Sequence, residues 1–155
     1  MKLFKYKNIV IQLEEKDLLK FIENHLRRKD SETGGMICGY YSDNLLQATI
    51  TEFCEPPKDS IFGRSTFSRG IAGTEKYLKE KWIEGQYYLG DWHLHPYSNP
   101  IASFQDLRQI EINSKDKQLQ CPEPIMVIVG GSNNKDINVY IFIEKEANLC
   151  NPIDC

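Results

Sequence analysis

The sequence predicts one domain of mixed α and β structure, on three observations. Short β-rich runs alternate along the chain with segments whose apolar residues recur at helical spacing. Neither internal repeats nor low-complexity segments interrupt them. The 155 residues are 41% hydrophobic, 26% charged and 11% aromatic, the profile of a soluble globular domain. A chain of this size buries roughly 70% of its unfolded surface, so its core needs neither disulfides nor a partner.

Phe4 to Leu13 ends in the β-rich Ile9-Val10-Ile11 and reads as a first strand. Leu18, Leu19, Ile22 and Leu26 then fall on one face of an amphipathic helix over 15–29, followed by a polar loop from Arg27 to Gly35. Met36–Tyr41 and Leu46–Cys54 read as two strands joined by a turn at Asp43-Asn44. Residues 55–70 are rich in turn formers without a structural period, and a loop of that length in a small domain is usually functional or mobile. A helix is expected over 71–84, with Leu78 and Trp82 on one face. It is followed by a strand from Tyr87 to His95, a helix from Ser103 to Ser114, and closing strands at Ile125–Val129 and Ile137–Ile143. The domain is therefore expected over 1–146, and 147–155 reads as a C-terminal tail without signal.

Lys and Arg total 19 against 22 Asp and Glu, giving a net charge of −3. That balance argues against nucleic acid or an anionic membrane as partner, because phosphate binding needs concentrated positive charge. Five scattered cysteines, Cys38, Cys54, Cys121, Cys150 and Cys155, contain no CxxC pair and read as mostly free, buried thiols. Cys150 and Cys155 could bridge. No apolar run reaches the length of a signal h-region or a membrane span, so the expected address is the cytoplasm.

The chemistry concentrates in Gly90-Asp91-Trp92-His93-Leu94-His95-Pro96 and in Ser103-Phe104-Gln105-Asp106. Two histidines two residues apart in a strand share a face and can deliver two nitrogens to one metal, although the same pair also suits surface polarity or a partner contact. Ser103-x-x-Asp106 alone is a capping box. Together, joined by one short loop, the two elements would bring the Asp106 carboxylate to the strand end where the imidazoles emerge. Two imidazoles, one carboxylate and a position left for water form the ligand set of a catalytic zinc site. Such a site needs a base, and the best candidate is Glu32. It precedes the pair Gly34-Gly35, which permits close backbone approach, although alone it also reads as an exposed loop carboxylate.

These residues carry a family resemblance. Glu32-Thr33-Gly34-Gly35, His93-x-His95-Pro96 and Ser103-x-x-Asp106 stand in the order of the JAMM motif, and from roughly residue 5 to 145 the chain resembles the JAB/MPN metalloproteases. Phe67-x-Arg69-Gly70 and Tyr88-Leu89-Gly90-Asp91-Trp92 resemble, more narrowly, the small bacterial JAB deconjugating proteases of CBASS and related ubiquitination-like antiphage operons. Leu94 stands where family members commonly have Ser or Thr, Asp91 where they have Glu, and Asn99-Pro100-Ile101-Ala102 where they often show Pro-x-Pro.

The resemblance implies a JAB/MPN, cytidine-deaminase-like mixed sheet flanked by helices. It implies one Zn2+ per chain held by His93, His95 and Asp106, with Glu32 as proton carrier and Ser103 as oxyanion donor. It implies cleavage of an amide or isopeptide bond that releases a ubiquitin-like protein or a conjugated CD-NTase C-terminus, with a functional link to an E1/E2-like conjugating enzyme. Alternatives are a JAMM hydrolase processing a ubiquitin-like or sulfur-carrier tail, and a non-catalytic MPN scaffold, which would usually have lost ligands that this chain keeps. Ser65, Phe67 and Arg69 alternate as a strand would and are candidates for the substrate groove, against the alternative of a solvated surface loop. Asp91 either hydrogen-bonds a ligating imidazole or faces solvent, Trp92 is core or substrate platform, and Leu94 should point away from the metal. Cys38 and Cys54 read as core, with an inhibitory thiol ligand as the other possibility.

Overall fold

A computed structural model describes residues 1–26 and 31–154. Its framework is a nine-stranded mixed sheet, introduced here in chain order. The strands are β1 (Lys2–Tyr6), β2 (Ile9–Leu13), β3 (Thr33–Tyr41), β4 (Gln47–Phe53), β7 (Tyr87–Leu94), β8 (Ile125–Gly130), β9 (Asp136–Ile143), β10 (Glu146–Leu149) and β11 (Asn151–Ile153). Their spatial order is β10-β9-β8-β7-β3-β4-β2-β1-β11. The pairs β2–β4 and β7–β8 are parallel and the others antiparallel. A separate two-stranded hairpin joins β5 (Ile61–Phe62) to β6 (Phe67–Ser68). The helices are α1 (Glu15–Leu26), α2 (Thr74–Ile83) and α3 (Phe104–Lys115). This is the mixed sheet with flanking helices that the sequence predicts. Among the described residues no helix is long and apolar enough to cross a membrane.

Strand alternation divides the core between the two faces of the sheet. Ile125, Val127, Val129, Val139, Ile141, Trp92 and Leu94 bury on one face, where Leu18 and Ile22 of α1 meet them. Met126, Ile128, Tyr140 and Phe142 point to the other face, where Ile110 of α3 covers them. Each such side chain contributes about 1.5–3 kcal/mol by burial. Covered on both sides, Ile125–Gly130 can be a continuous apolar run, all of it buried.

Four expectations are corrected. The first strand is a hairpin: Tyr6 pairs with Ile9 across a two-residue turn in which Lys7 has φ 50°, a conformation its side chain gives no hint of. The 55–70 segment is not structureless, since β5 and β6 form inside it. Strand β3 begins at Thr33 rather than Met36. The tail is structural: Leu149 pairs with Tyr140, the Cys150 N–H donates to the Val139 carbonyl at 2.8 Å, and Asn151 pairs with Lys5. One extended segment thus joins both ends of the sheet and nearly closes it, covering edges that would otherwise be open to other chains. The end of the helix expected over 15–29 and the start of the loop after it fall on 27–30, and the Cys150–Cys155 bridge on Cys155, outside the described residues.

Candidate metal centre

The site is built on β7, whose register shifts against β3: Ile37 pairs with Gly90 and Cys38 with Tyr88, so Leu89 is skipped. Gly90 has φ 152°, and a Cβ there would run into the Ile125 backbone, so this bulge needs glycine. Beyond the bulge Asp91 and His93 face the α3 side, while Trp92 and Leu94 enter the core. The His95 N–H continues the ladder by donating to the Val129 carbonyl at 2.8 Å, and the loop after Pro96 leads into α3.

Ser103 is the N-cap of α3. Its hydroxyl oxygen accepts from the Asp106 N–H at 3.1 Å, and its own N–H donates to Asp106 Oδ2 at 2.9 Å. That box aims the carboxylate at the imidazoles: Asp106 Oδ1 lies 2.9 Å from His93 Nδ1, and Oδ2 lies 3.1 Å from His95 Nε2. All three residues are buried, and one ligand atom from each lies within 4.8 Å of the others. His95 Nδ1 sits 3.3 Å from the Asn99 carbonyl, which can only accept, so that nitrogen carries a proton, and a cation held at the centre would take the place of a proton on Nε2. Burial opposes the charge on Asp106, but hydrogen bonds from His93 and His95 outweigh it and hold the carboxyl well below the usual carboxylate range. Two oriented imidazoles and an ionised carboxylate converging in a buried site fit a divalent cation with one coordination position open.

Glu32 is no exposed loop carboxylate. Its side chain is only 13% exposed, and Oε1 lies 3.8 Å from His95 Nε2. Burial raises its pKa above the ordinary carboxylate value, against the pull of His95, which suits a group that must take up and release a proton near neutrality. Gly34 permits this closeness: it pairs with His93, and a Cβ there would stand 2.5 Å from the Trp92 carbonyl and 2.7 Å from the His93 ring.

The remaining candidates separate. Ser65 is exposed, but Phe67 and Arg69 turn inward, so neither lines an open groove. The Phe67 ring meets the His93 ring edge-on at 5.6 Å, and Arg69 Nε donates to Asp91 Oδ2 at 2.7 Å. Asp91 accordingly neither contacts a candidate ligand nor faces solvent: it is buried between Arg69 and the Tyr88 hydroxyl, which donates to Oδ1 at 2.7 Å. Trp92 is core, its indole N–H donating to the Cys54 carbonyl at 2.8 Å, and Leu94 is buried beside it. Cys38 is buried and Cys54 partly so, with its sulfur 3.4 Å from the Tyr77 hydroxyl. Among the described residues no cysteine joins the His-His-Asp cluster.

The family of prokaryotic homologs of the JAB domain matches residues 14–142. The chain belongs to this family. A CD-NTase/cGAS isopeptidase of Enterobacter hormaechei is 36% identical over 121 residues, 78% of this chain and 67% of that protein. A probable metalloprotease of Sinorhizobium fredii is 28% identical over 130 residues, 81% of this chain and 79% of that one. The solution structure of protein DSY2949 from Desulfitobacterium hafniense shares the fold, with a TM-score of 0.65 at 14% identity, covering 90% of this chain and 88% of that one. This JAB protein is a hydrolase of the metalloprotease type.

Three contributors escape sequence reasoning. The Asn99 carbonyl beside His95 and the Gly63 carbonyl, which accepts the Glu32 N–H, act through the backbone, which no side chain announces. Tyr88 reaches Asp91 from three residues away, a distance that puts side chains on opposite faces of a regular strand. The bulge at Leu89 brings them together, and Gly90 was the available sign of it.

Proposed function

We propose that this JAB protein is a zinc-dependent isopeptidase that removes a ubiquitin-like modifier or a conjugated CD-NTase C-terminus from target proteins in bacterial antiphage defence. The observation that carries the reading is the convergence of the buried His93, His95 and Asp106 with the largely hidden carboxylate of Glu32. His93, His95 and Asp106 would hold the metal. Zinc bound there would lower the pKa of a water molecule toward neutrality. Glu32 would take a proton from the attacking water and return it to the departing amine nitrogen, so that water divides across the broken C–N bond. The Ser103 oxygen already accepts the Asp106 N–H, which leaves its own O–H free to donate to the carbonyl oxygen as charge develops there.

A protein substrate suits the surroundings. Tyr97, Ile101 and Phe104, in and just after the loop between the histidines and Asp106, are exposed, as are Ile61 and Phe62 of the hairpin, whose Phe62 backs the Phe67 ring. An extended modifier tail adding a strand beside β5–β6, near Ser65, would run toward the centre.

The test is metal analysis and cleavage of a lysine-linked conjugate by wild type and Glu32→Ala. About one zinc ion per chain is expected in both, with cleavage in the wild type alone. A folded, metal-free wild type, or cleavage surviving in Glu32→Ala, would overturn the proposal. Cleavage of small amides or carrier-protein tails in place of conjugates would redirect it to the processing alternative.

A further inference from the structure

The 59–72 segment touches the centre at two points, is closed on itself at its root and is tied to β7 at one further point. The Glu32 N–H donates to the Gly63 carbonyl at 2.9 Å, and Gly63 in turn donates from its own N–H to the Thr66 carbonyl at 2.8 Å. The Phe67 ring, backed by Phe62 at 5.4 Å, abuts the edge of the His93 ring. At the root, the Asp59 carboxylate accepts from the Ile71 and Ala72 N–H groups at 3.0 and 2.9 Å. The remaining tie is the Arg69–Asp91 ion pair, with both side chains more than nine-tenths buried. Residues two apart on the segment, Phe67 and Arg69, thus meet residues two apart on β7, His93 and Asp91.

We propose that Arg69 is a positioning residue for the reaction: through Asp91 it locks the β5–β6 hairpin over the centre, and the hairpin sets Glu32, while the His93 ring stays held by Asp106. The kinetic part rests on the reading of Glu32 as proton carrier. A largely buried ion pair is a costly means of stabilising a fold, and an apolar pair of similar volume often does as well or better. What a charge pair adds is register. The planar guanidinium is met at Nε by one carboxylate oxygen while Tyr88 fixes the other, so the pair forms at one setting of the segment along β7. Shifted along β7, the segment would carry Gly63 away from Glu32 and Phe67 off His93 together. None of the metal-binding atoms belongs to the segment, so its loosening leaves the donor set intact. Displacing a proton carrier by about 1 Å costs on the order of 100-fold in rate.

The test compares wild type with Arg69→Met in two arms. In amide hydrogen exchange on the full chain, the Glu32 N–H should lose about tenfold or more of its protection in Arg69→Met, while the amides of β8 keep theirs. In steady-state cleavage kcat should fall at least about tenfold, with KM within about twofold and bound metal unchanged. Should Arg69→Met not fold, Arg69→Lys, which keeps the cation but not the Nε donor, carries both arms with a smaller change of the same sign. Unaltered Glu32 protection, or metal lost in parallel with activity, would overturn the proposal. A wild type that cleaves no conjugate would defeat the functional reading alone, since the exchange arm still decides whether Arg69 governs the hairpin and Glu32.

Discussion

The two walls of the metal centre are held in different ways. The wall that carries His93, His95, Ser103 and Asp106 is one stretch of chain, and its connecting loop is clamped at every turn. The Tyr97 N–H donates to Asn134 Oδ1, the Asn138 side chain donates to the Pro100 carbonyl, and the Ala102 N–H donates to the Tyr140 hydroxyl, at 2.7, 2.9 and 3.2 Å. Helix α3 then buries Asp106, Ile110 and Asn113. The opposite wall joins Glu32 to a segment some thirty residues further along the chain, and leads into α2. That helix starts at Gly73 with φ 75°, has no side-chain cap and buries no residue. The candidate metal ligands are thus fixed by many redundant contacts, whereas the proposed proton carrier depends on a few. Loss of a candidate ligand from the first wall should remove metal and destabilise the fold together, and damage to the contacts of Glu32 should remove activity with metal retained.

The strongest break in that comparison is Asp106→Ala. It deletes one candidate ligand, removes a partner from both imidazoles and opens the capping box at once. Bound metal should fall to near zero and cleavage with it, and loss of the box should cost about 0.5–2 kcal/mol of stability. Elemental analysis and thermal unfolding check both. Retention of metal at the wild-type level would mean that the first wall does not hold it in the way described.

Legibility in the sequence follows the same division. His93, His95, Ser103 and Asp106 lie within fourteen residues on elements with clear signals, an alternating strand and a capping box, so they could be placed relative to one another without knowing the fold. Glu32 was singled out as the candidate base by its motif, but its burial was not legible, because that depends on strand β3 starting at Thr33 and on Gly34 lying against His93. The hairpin of residues 61–68 rests on two-residue strands too short to show a period. Arg69 and Asp91 were both noticed, but their pairing needs a shift in register that only tertiary structure sets. The closing strands β10 and β11 were illegible for a related reason: they are one segment divided between two partners, and neither half carries an apolar alternation.

Ser103→Ala separates two functions within the first wall. The variant loses the hydroxyl assigned to the developing oxyanion and the oxygen that caps α3. kcat should fall by roughly 100- to 1000-fold, and stability by about 1 kcal/mol, with metal retained because Asp106 remains. Ser103→Thr, which keeps a capping hydroxyl, should recover most of the stability. A kcat for Ser103→Ala near that of the wild type would leave the residue a helix cap and nothing more.

The smallest effect probes the root of the second wall. The Asp59 carboxylate accepts from the Ala72 and Ile71 backbone N–H groups, and these bonds, Ala72 foremost, lower its pKa below the ordinary aspartate value. A carboxyl whose pKa is depressed by folding stabilises the folded state above its unfolded pKa of about 3.9 and loses that contribution as pH falls through the folded value. Thermal unfolding of wild type and Asp59→Ala should therefore differ by a small, constant margin from neutral pH down to about pH 4, with wild type the more stable, and the two should converge below it. The local consequence should be larger than the global one, because the two N–H groups freed lie where the segment returns toward α2. Exchange at Ile71 and Ala72 should quicken in the variant at neutral pH while exchange in β8 stays slow. A margin that persists unchanged into strong acid would assign the effect to side-chain packing instead of the ionised carboxylate, and would remove Asp59 from the ties that close the segment.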